Sequence, residues 1–111
     1  MSTQLTVPTA TPIDLENEVA YAIGAVVSKT LLKKETGNIT LFSFDTGQGL
    51  SEHTAPFDAV VYVVDGAADI TIGGAPHAVK KGEMIVMPAG IPHALHAPAP
   101  FKMLLVMIRG E

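Results

Sequence analysis

From Val26 onward, apolar residues fall into short runs, VVSKTLL, NITLFSF, AVVYVV, ADITI, HAV, EMIVM, HALHA and FKMLLVMI, broken at close intervals by Gly, Pro, Asp or Lys. Many short runs with turn residues between them predict an all-β sandwich or barrel. The punctuation fits that reading. Gly73-Gly74, between ADITI and APHAV, can take the positive φ that a two-residue hairpin turn demands, and Asp65-Gly66 separates AVVYVV from ADITI in the same way. Pro88 fixes its own φ and Gly90 relieves the steric limit two residues later, which predicts a sharp turn that delivers His93 from a stiff loop onto a strand. Ahead of the first run, Leu15, Val19, Ala22 and Ile23 are spaced for one or two turns of amphipathic helix over residues 13–23, capped by Asp14. Residues 1–12, rich in Thr and Pro, read as an extended arm, and residues 13–111 as a single domain.

Two runs are apolar on both faces. Val60, Tyr62 and Val64 alternate with Ala59, Val61 and Val63, and residues 103–108, MLLVMI, behave alike. Leaving such side chains in water forgoes roughly 1.5–3 kcal/mol each. A second copy of the chain is the simplest cover, so the pattern predicts a homodimer; the alternative is that the arm and the helix-like segment cover those faces within one chain.

Composition narrows the function classes. A chain of 111 residues can bury one core, and with 48% hydrophobic and 16% charged residues it is a compact globular domain. A net charge of −4, with Lys33-Lys34 and Lys80-Lys81 the only basic doublets, argues against nucleic acid as a partner. With no cysteine, any chemistry must use His, carboxylate or Tyr. The start MSTQLTVPTATP lacks the make-up of an export signal, and no apolar run approaches the roughly 18 residues that span a bilayer. The expectation is therefore a cytoplasmic protein that does not insert into membranes.

Two segments carry the candidate chemistry: GQGLSEHTAPFDAVVYVVDG, residues 47–66, and GEMIVMPAGIPHALHA, residues 82–97. They resemble the paired signatures of the cupin family, Gly-x5-His-x-His-x3,4-Glu-x6-Gly and Gly-x5-Pro-x-Gly-x2-His-x3-Asn. Gly47, His53 and Gly66 fall in register with the first, and Gly82, Pro88, Gly90 and His93 with the second. Ala55, Ala59 and Ala97 stand where the family has its second His, its Glu and its Asn. The resemblance covers nearly all the chain after residue 24 and implies a small single-domain cupin: a conserved β-barrel of the jelly-roll type with a degenerate ligand set. Activity does not follow from that fold, because cupins include dioxygenases, isomerases, decarboxylases, sugar-binding modules and storage proteins.

Of the functional positions, only His53 and His93 match. Two imidazoles can hold a divalent transition metal, but catalytic zinc usually takes three protein ligands and structural zinc four, so the resemblance implies weak metal binding at best. The bland alternative is a pair of neutral pocket histidines, hydrogen-bonded to each other, to backbone or to water. His96, three residues past His93, should face away from it; His77 matches neither signature; Asp58 and Glu52 should point outward. Alanines in place of polar ligands leave a wider, more apolar pocket, lined by Phe44, Met84, Met87, Leu95, Phe101 and Met103 around the two histidines. That favours a module that binds a small organic ligand. Two alternatives stay open: a metal-dependent oxygenase or isomerase using His53 and His93, and a metal-free isomerase or lyase in which one of them is the general base.

Overall fold

The structure is a computed structural model that describes residues 3–109. Ten strands follow one another: β1 (Gln4–Leu5), β2 (Val26–Lys34), β3 (Gly37–Phe44), β4 (Gly49–His53), β5 (Asp58–Asp65), β6 (Ala67–Ile72), β7 (Ala75–Lys80), β8 (Met84–Met87), β9 (His93–His96) and β10 (Phe101–Ile108). They form a six-stranded sheet in the order β1-β2-β3-β10-β5-β8 and a four-stranded sheet in the order β4-β9-β6-β7, with every pairing antiparallel. The predicted all-β jelly roll is what forms. Each predicted run lies on a strand, while β1 and β4 are additions that the apolar pattern does not announce, since neither is apolar.

Turn chemistry sets the β6–β7 hairpin where expected, whereas Asp65-Gly66, with Gly66 at φ 73°, makes no hairpin: it turns the chain from one sheet into the other, since β5 and β6 do not pair. Gly73 and Gly74 take φ of 57° and 82°, the two consecutive positive values of a tight turn between β6 and β7. Gly90 takes φ of 75° and donates its N–H to Ala55 O at 2.8 Å, so the Pro88 loop is tied to the strand end opposite.

Side chains alternate across the strands and fill the space between the sheets. Ala59, Val61 and Val63 of β5, Ala68 and Ile70 of β6, Leu95 of β9 and Met103 of β10 are buried together there. At the centre Phe44 and Phe101 stack in parallel, with centroids 4.4 Å apart and planes 7° from each other. Both are wholly buried.

Outside the six-stranded sheet lies a second, smaller cluster of Val19, Leu31, Leu41 and Val64, joined by Val7, Ile13, Leu15, Val27, Ile39 and Leu104. It is built by the segment ahead of β2, which crosses that face as a strap. The helix predicted over 13–23 is cut to a single 3-10 turn at Leu15–Asn17, with Asp14 capping it as expected by accepting from Glu16 N. The sheet provides the reason. Side chains from below hold the segment by its carbonyls: Lys102 Nζ donates to Glu16 O, which a helix over 13–23 would satisfy internally, and Ser43 Oγ donates to Ala20 O at 2.8 Å. Ile13, Leu15 and Val19 then pack without helical phase, and Ile23, expected on the buried side, stands fully exposed.

The outermost strands are β1 and β8 in one sheet and β4 and β7 in the other. The strand β1 has two residues and β8 four, and β7 carries Pro76.

Candidate functional site

Strands β4 and β9 are neighbours, and His53 and His93 are register partners across them, after a shift in pairing beyond Leu50. The two signatures are thereby joined edge to edge. His93 points inward and is buried, while His53 is at the surface. Their rings meet nearly edge to face, at 70° with centroids 4.4 Å apart, and the two Nε2 atoms approach to 3.1 Å.

The other ring nitrogens settle what that approach means. His53 Nδ1 lies 2.8 Å from Ser51 O, and His93 Nδ1 lies 3.3 Å from Ile91 O. A carbonyl only accepts, so each contact places the imidazole hydrogen on Nδ1. Both neutral rings then aim Nε2 lone pairs at each other. Such a contact is attractive only with one proton between the pair, or with a donor or cation supplied from outside. Burial lowers the His93 pKa below the usual imidazole value, and the neighbouring charge of His53 lowers it further, with partial relief from the Ile91 carbonyl. With both rings neutral, the dyad is thus a concentrated acceptor site facing an apolar interior.

That interior is a cavity of about 60 Å³. His53 and His93 stand on one wall with Leu50 and Leu95; Ala55 and Ala59 form a second; Met87, Met103, Leu105 and Met107 close it. Of the residues read from the sequence as pocket lining, His53, His93, Met87, Leu95 and Met103 come together here. Phe44 and Phe101 do not line it, because their mutual stack fills the deeper core. Met84 does not either: it is an odd number of residues from inward-facing Met87, so it points out and is 59% exposed. Leu50, Leu105 and Met107 are lining residues that sequence reasoning passed over. Parity would have found two of them, since Leu105 and Met107 share a face with Met103.

The remaining candidates lie apart. His96 pairs with Gly49 and Asp69 and is exposed, and His77 is exposed on β7. Asp58 faces outward, its Oδ1 accepting from Ala89 N at 2.8 Å. Ala97 is buried but does not line the cavity.

The donor set does not complete a cupin metal shell. Two imidazoles converge, but Ala55 and Ala59 offer only methyl groups, and among the described residues no group of three or more His, Cys, Asp or Glu could hold a metal ion. Also among the described residues, no helix is long and apolar enough to cross a membrane.

Comparison with known proteins agrees with this architecture. A conserved protein of unknown function from Streptococcus pyogenes, whose crystal structure is solved, matches with a TM-score of 0.92 and 42% identity, over 100% of this chain and 97% of that one. A cupin 2 conserved barrel domain protein from Leptotrichia buccalis is 43% identical with a TM-score of 0.85; the match takes in 87% of this chain and 47% of that one, so this chain spans about half its length. An uncharacterised protein of Streptomyces coelicolor is 32% identical over 83 residues, 75% of this chain and 77% of that protein. The sequence profile of the cupin domain matches residues 40–108, the stretch that holds both histidines and eight of the ten strands, and the chain therefore belongs to the cupin family.

Proposed function

We propose that this cupin binds a small organic acid, its head group against His53 and His93 and its short apolar body against Met87, Met103, Leu105 and Met107. The observation that carries the reading is the 3.1 Å approach of two Nε2 atoms whose partner nitrogens are already committed to carbonyls. A carboxylic acid supplies the missing donor: its O–H donates to one Nε2, and where the proton crosses, the new Nε2–H donates back to the carboxylate in place of the opposed lone pair. The walls argue against a sugar, because Met, Leu and Ala would leave ring hydroxyls without partners. Size argues for few atoms. A cavity of about 60 Å³ is far below the roughly 300–1,000 Å³ of drug-sized pockets. The three methionines are flexible enough to admit somewhat more.

Thermal shift with short-chain carboxylic acids tests this. Raising the acid to 100 times its Kd should add about 2.7 kcal/mol of stability, and the corresponding alcohols and sugars should do much less. His93→Ala and His53→Ala should abolish the effect. Equal shifts in wild type and both variants, or none with any acid up to about 10 mM, would end the proposal.

A second reading rests on the same convergence. Two nitrogens 3.1 Å apart match the span of two metal–nitrogen bonds of about 2.0–2.1 Å, so the dyad could serve as a weak two-histidine site for a divalent transition metal, as in a metal-dependent oxygenase or isomerase. Metal titration separates the two: uptake near one equivalent that His53→Ala or His93→Ala removes favours the metal, and acid binding undiminished in chelator favours the first reading.

A further inference from the structure

The stack of Phe44 on Phe101 closes one end of the space between the sheets, and the cavity lies toward the other. There Met87 of β8, Ala59 of β5, Met107 of β10 and Asn38 of β3 are successive register partners, and Lys33 of β2 ends the row. The first three are cavity wall. Asn38 and Lys33 extend the row on the same face, since Asn38 keeps the parity of Phe42 and Phe44, which belong to the main core. Asn38 Oδ1 is buried without a hydrogen-bond partner. Two residues past Met107 and Ala59, roughly 7 Å farther along the strands, Arg109 lays its guanidinium on the Phe57 ring, 5.1 Å from the centroid.

Positive charge collects at this rim. Of the seven basic residues, Lys29 and Lys81 pair with Glu18 and Glu16, and Lys102 is buried against the Glu16 carbonyl. Lys80 stands on β7, and the other three, Lys33, Lys34 and Arg109, gather here without a carboxylate partner among the described residues. Arg109 N donates to Thr36 O at 2.7 Å, which ties the end of β10 to the turn between β2 and β3. The carboxylates of the adjoining segments are Glu35 in that turn, Asp58, whose Oδ1 accepts from Ala89 N, and Glu52, exposed on β4. In a chain of net charge −4, the rim reverses the sign locally.

We infer that the acid is a dicarboxylate, its first carboxyl group on His53 and His93 and its second at the rim of Arg109, Lys33 and Asn38. The inference rests on the acid reading of the dyad and adds the far end of the ligand. A short chain charged at both ends matches a site with polar groups at two places and Met87, Met107 and Ala59 between them. A monocarboxylate would leave the second place unused. The planar fork of Arg109 can hold a carboxylate through two N–H donors while its face stays on Phe57. The Asn38 amide can rotate to present N–H to the same group, and Lys33 adds a charge on a flexible stem.

Calorimetric titration of the full chain at neutral pH compares acids of equal carbon number: glutaric with pentanoic, and adipic with hexanoic. The better-fitting dicarboxylate should bind about tenfold tighter than its partner at low salt, as expected for one partly exposed charge-assisted contact. That lead should shrink as salt is raised. Arg109→Gln combined with Lys33→Gln, both at exposed positions, should erase the lead, and His93→Ala should remove binding of both kinds of acid. Equal affinities in wild type, with His93 still required, overturn this inference and leave the acid reading standing. A lead that survives the double variant overturns it as well, because the second carboxylate is then held elsewhere. If no acid of either kind binds, the acid reading and this inference fall together.

Discussion

Tyr21 and Asp65, far apart in sequence, are joined by a hydrogen bond of 2.6 Å from the phenol to Oδ2. The Tyr21 ring also lies under Lys102 Nζ, 4.8 Å from its centroid, and Lys102 reaches past it to the Glu16 carbonyl. One small cluster therefore holds the strap against β5 and β10. Burial raises the Tyr21 pKa well above its ordinary 10, with the Asp65 hydrogen bond and charge adding to it, so the phenol remains a donor through neutral and mildly alkaline pH.

Tyr21→Phe should keep the ring and lose the bond. Because the pair is at the surface, the cost should be about 0.5–1 kcal/mol, read as a lower urea midpoint with unchanged slope. The pH dependence has a definite sign. A phenol with a raised folded pKa stabilises the fold fully below 10 and loses that contribution as pH rises beyond it, so wild type should weaken above pH 10 and Tyr21→Phe should weaken less.

Acid should act through His93. Its folded pKa is lowered from 6.5, so below that value the unfolded chain takes up a proton that the folded chain resists. Stability should be highest above pH 6.5, decline as pH falls below it, and stop declining from this source once His93's own lowered pKa is passed. Urea midpoints between about pH 5 and 8 should show that slope, and His93→Gln should flatten it. An equal slope in the variant would assign the acid sensitivity to another group.

Restoring the family pattern with Ala55→His and Ala59→Glu should tighten divalent-metal binding at least about tenfold, since both positions are on the cavity wall with the two histidines. Without metal the double variant should be less stable, because Ala59 is buried and a carboxylate there loses its hydration. Competition with a chromophoric chelator measures the first effect and thermal melting the second. No gain in affinity would mean that the β4 and β5 ends do not bring these positions to the dyad.

Trimming Leu105 to alanine should enlarge the cavity and cost about 2–3 kcal/mol, the lower part of the usual range because the residue is only partly buried. If the cavity sets ligand length, the acid giving the largest thermal shift should become longer by one or two carbons. An unchanged preference would place the ligand elsewhere.

Much of this was readable in the residues themselves. Gly73-Gly74 marks a turn by backbone conformation alone, and the runs around Val61 and Met103 mark strands by their length and branching, so the sheets could be anticipated. The strand β4 could not, because GLSEH has no apolar rhythm and is held by pairing with β9. The strap failed for the opposite reason: Leu15 and Val19 keep helical spacing, but Ser43 and Lys102, distant in sequence, claim the carbonyls. Within the cavity, strand parity separates Met84 from Met87 and adds Leu105 and Met107 to Met103. The opposition of two Nε2 atoms is a matter of ring rotation set by Ser51 and Ile91 carbonyls, which no spacing encodes.

The margins of the two sheets bear on how copies of the chain can accumulate. A two-residue β1, a four-residue β8 that stops at Met87 just before Pro88, and a β7 bearing Pro76 offer an incoming chain little continuous ladder of free amides and carbonyls, which leaves the five-residue β4 as the one margin without that protection among the described residues. End-on recruitment of strands, the route to open-ended fibrils, is thereby disfavoured at three of the four margins.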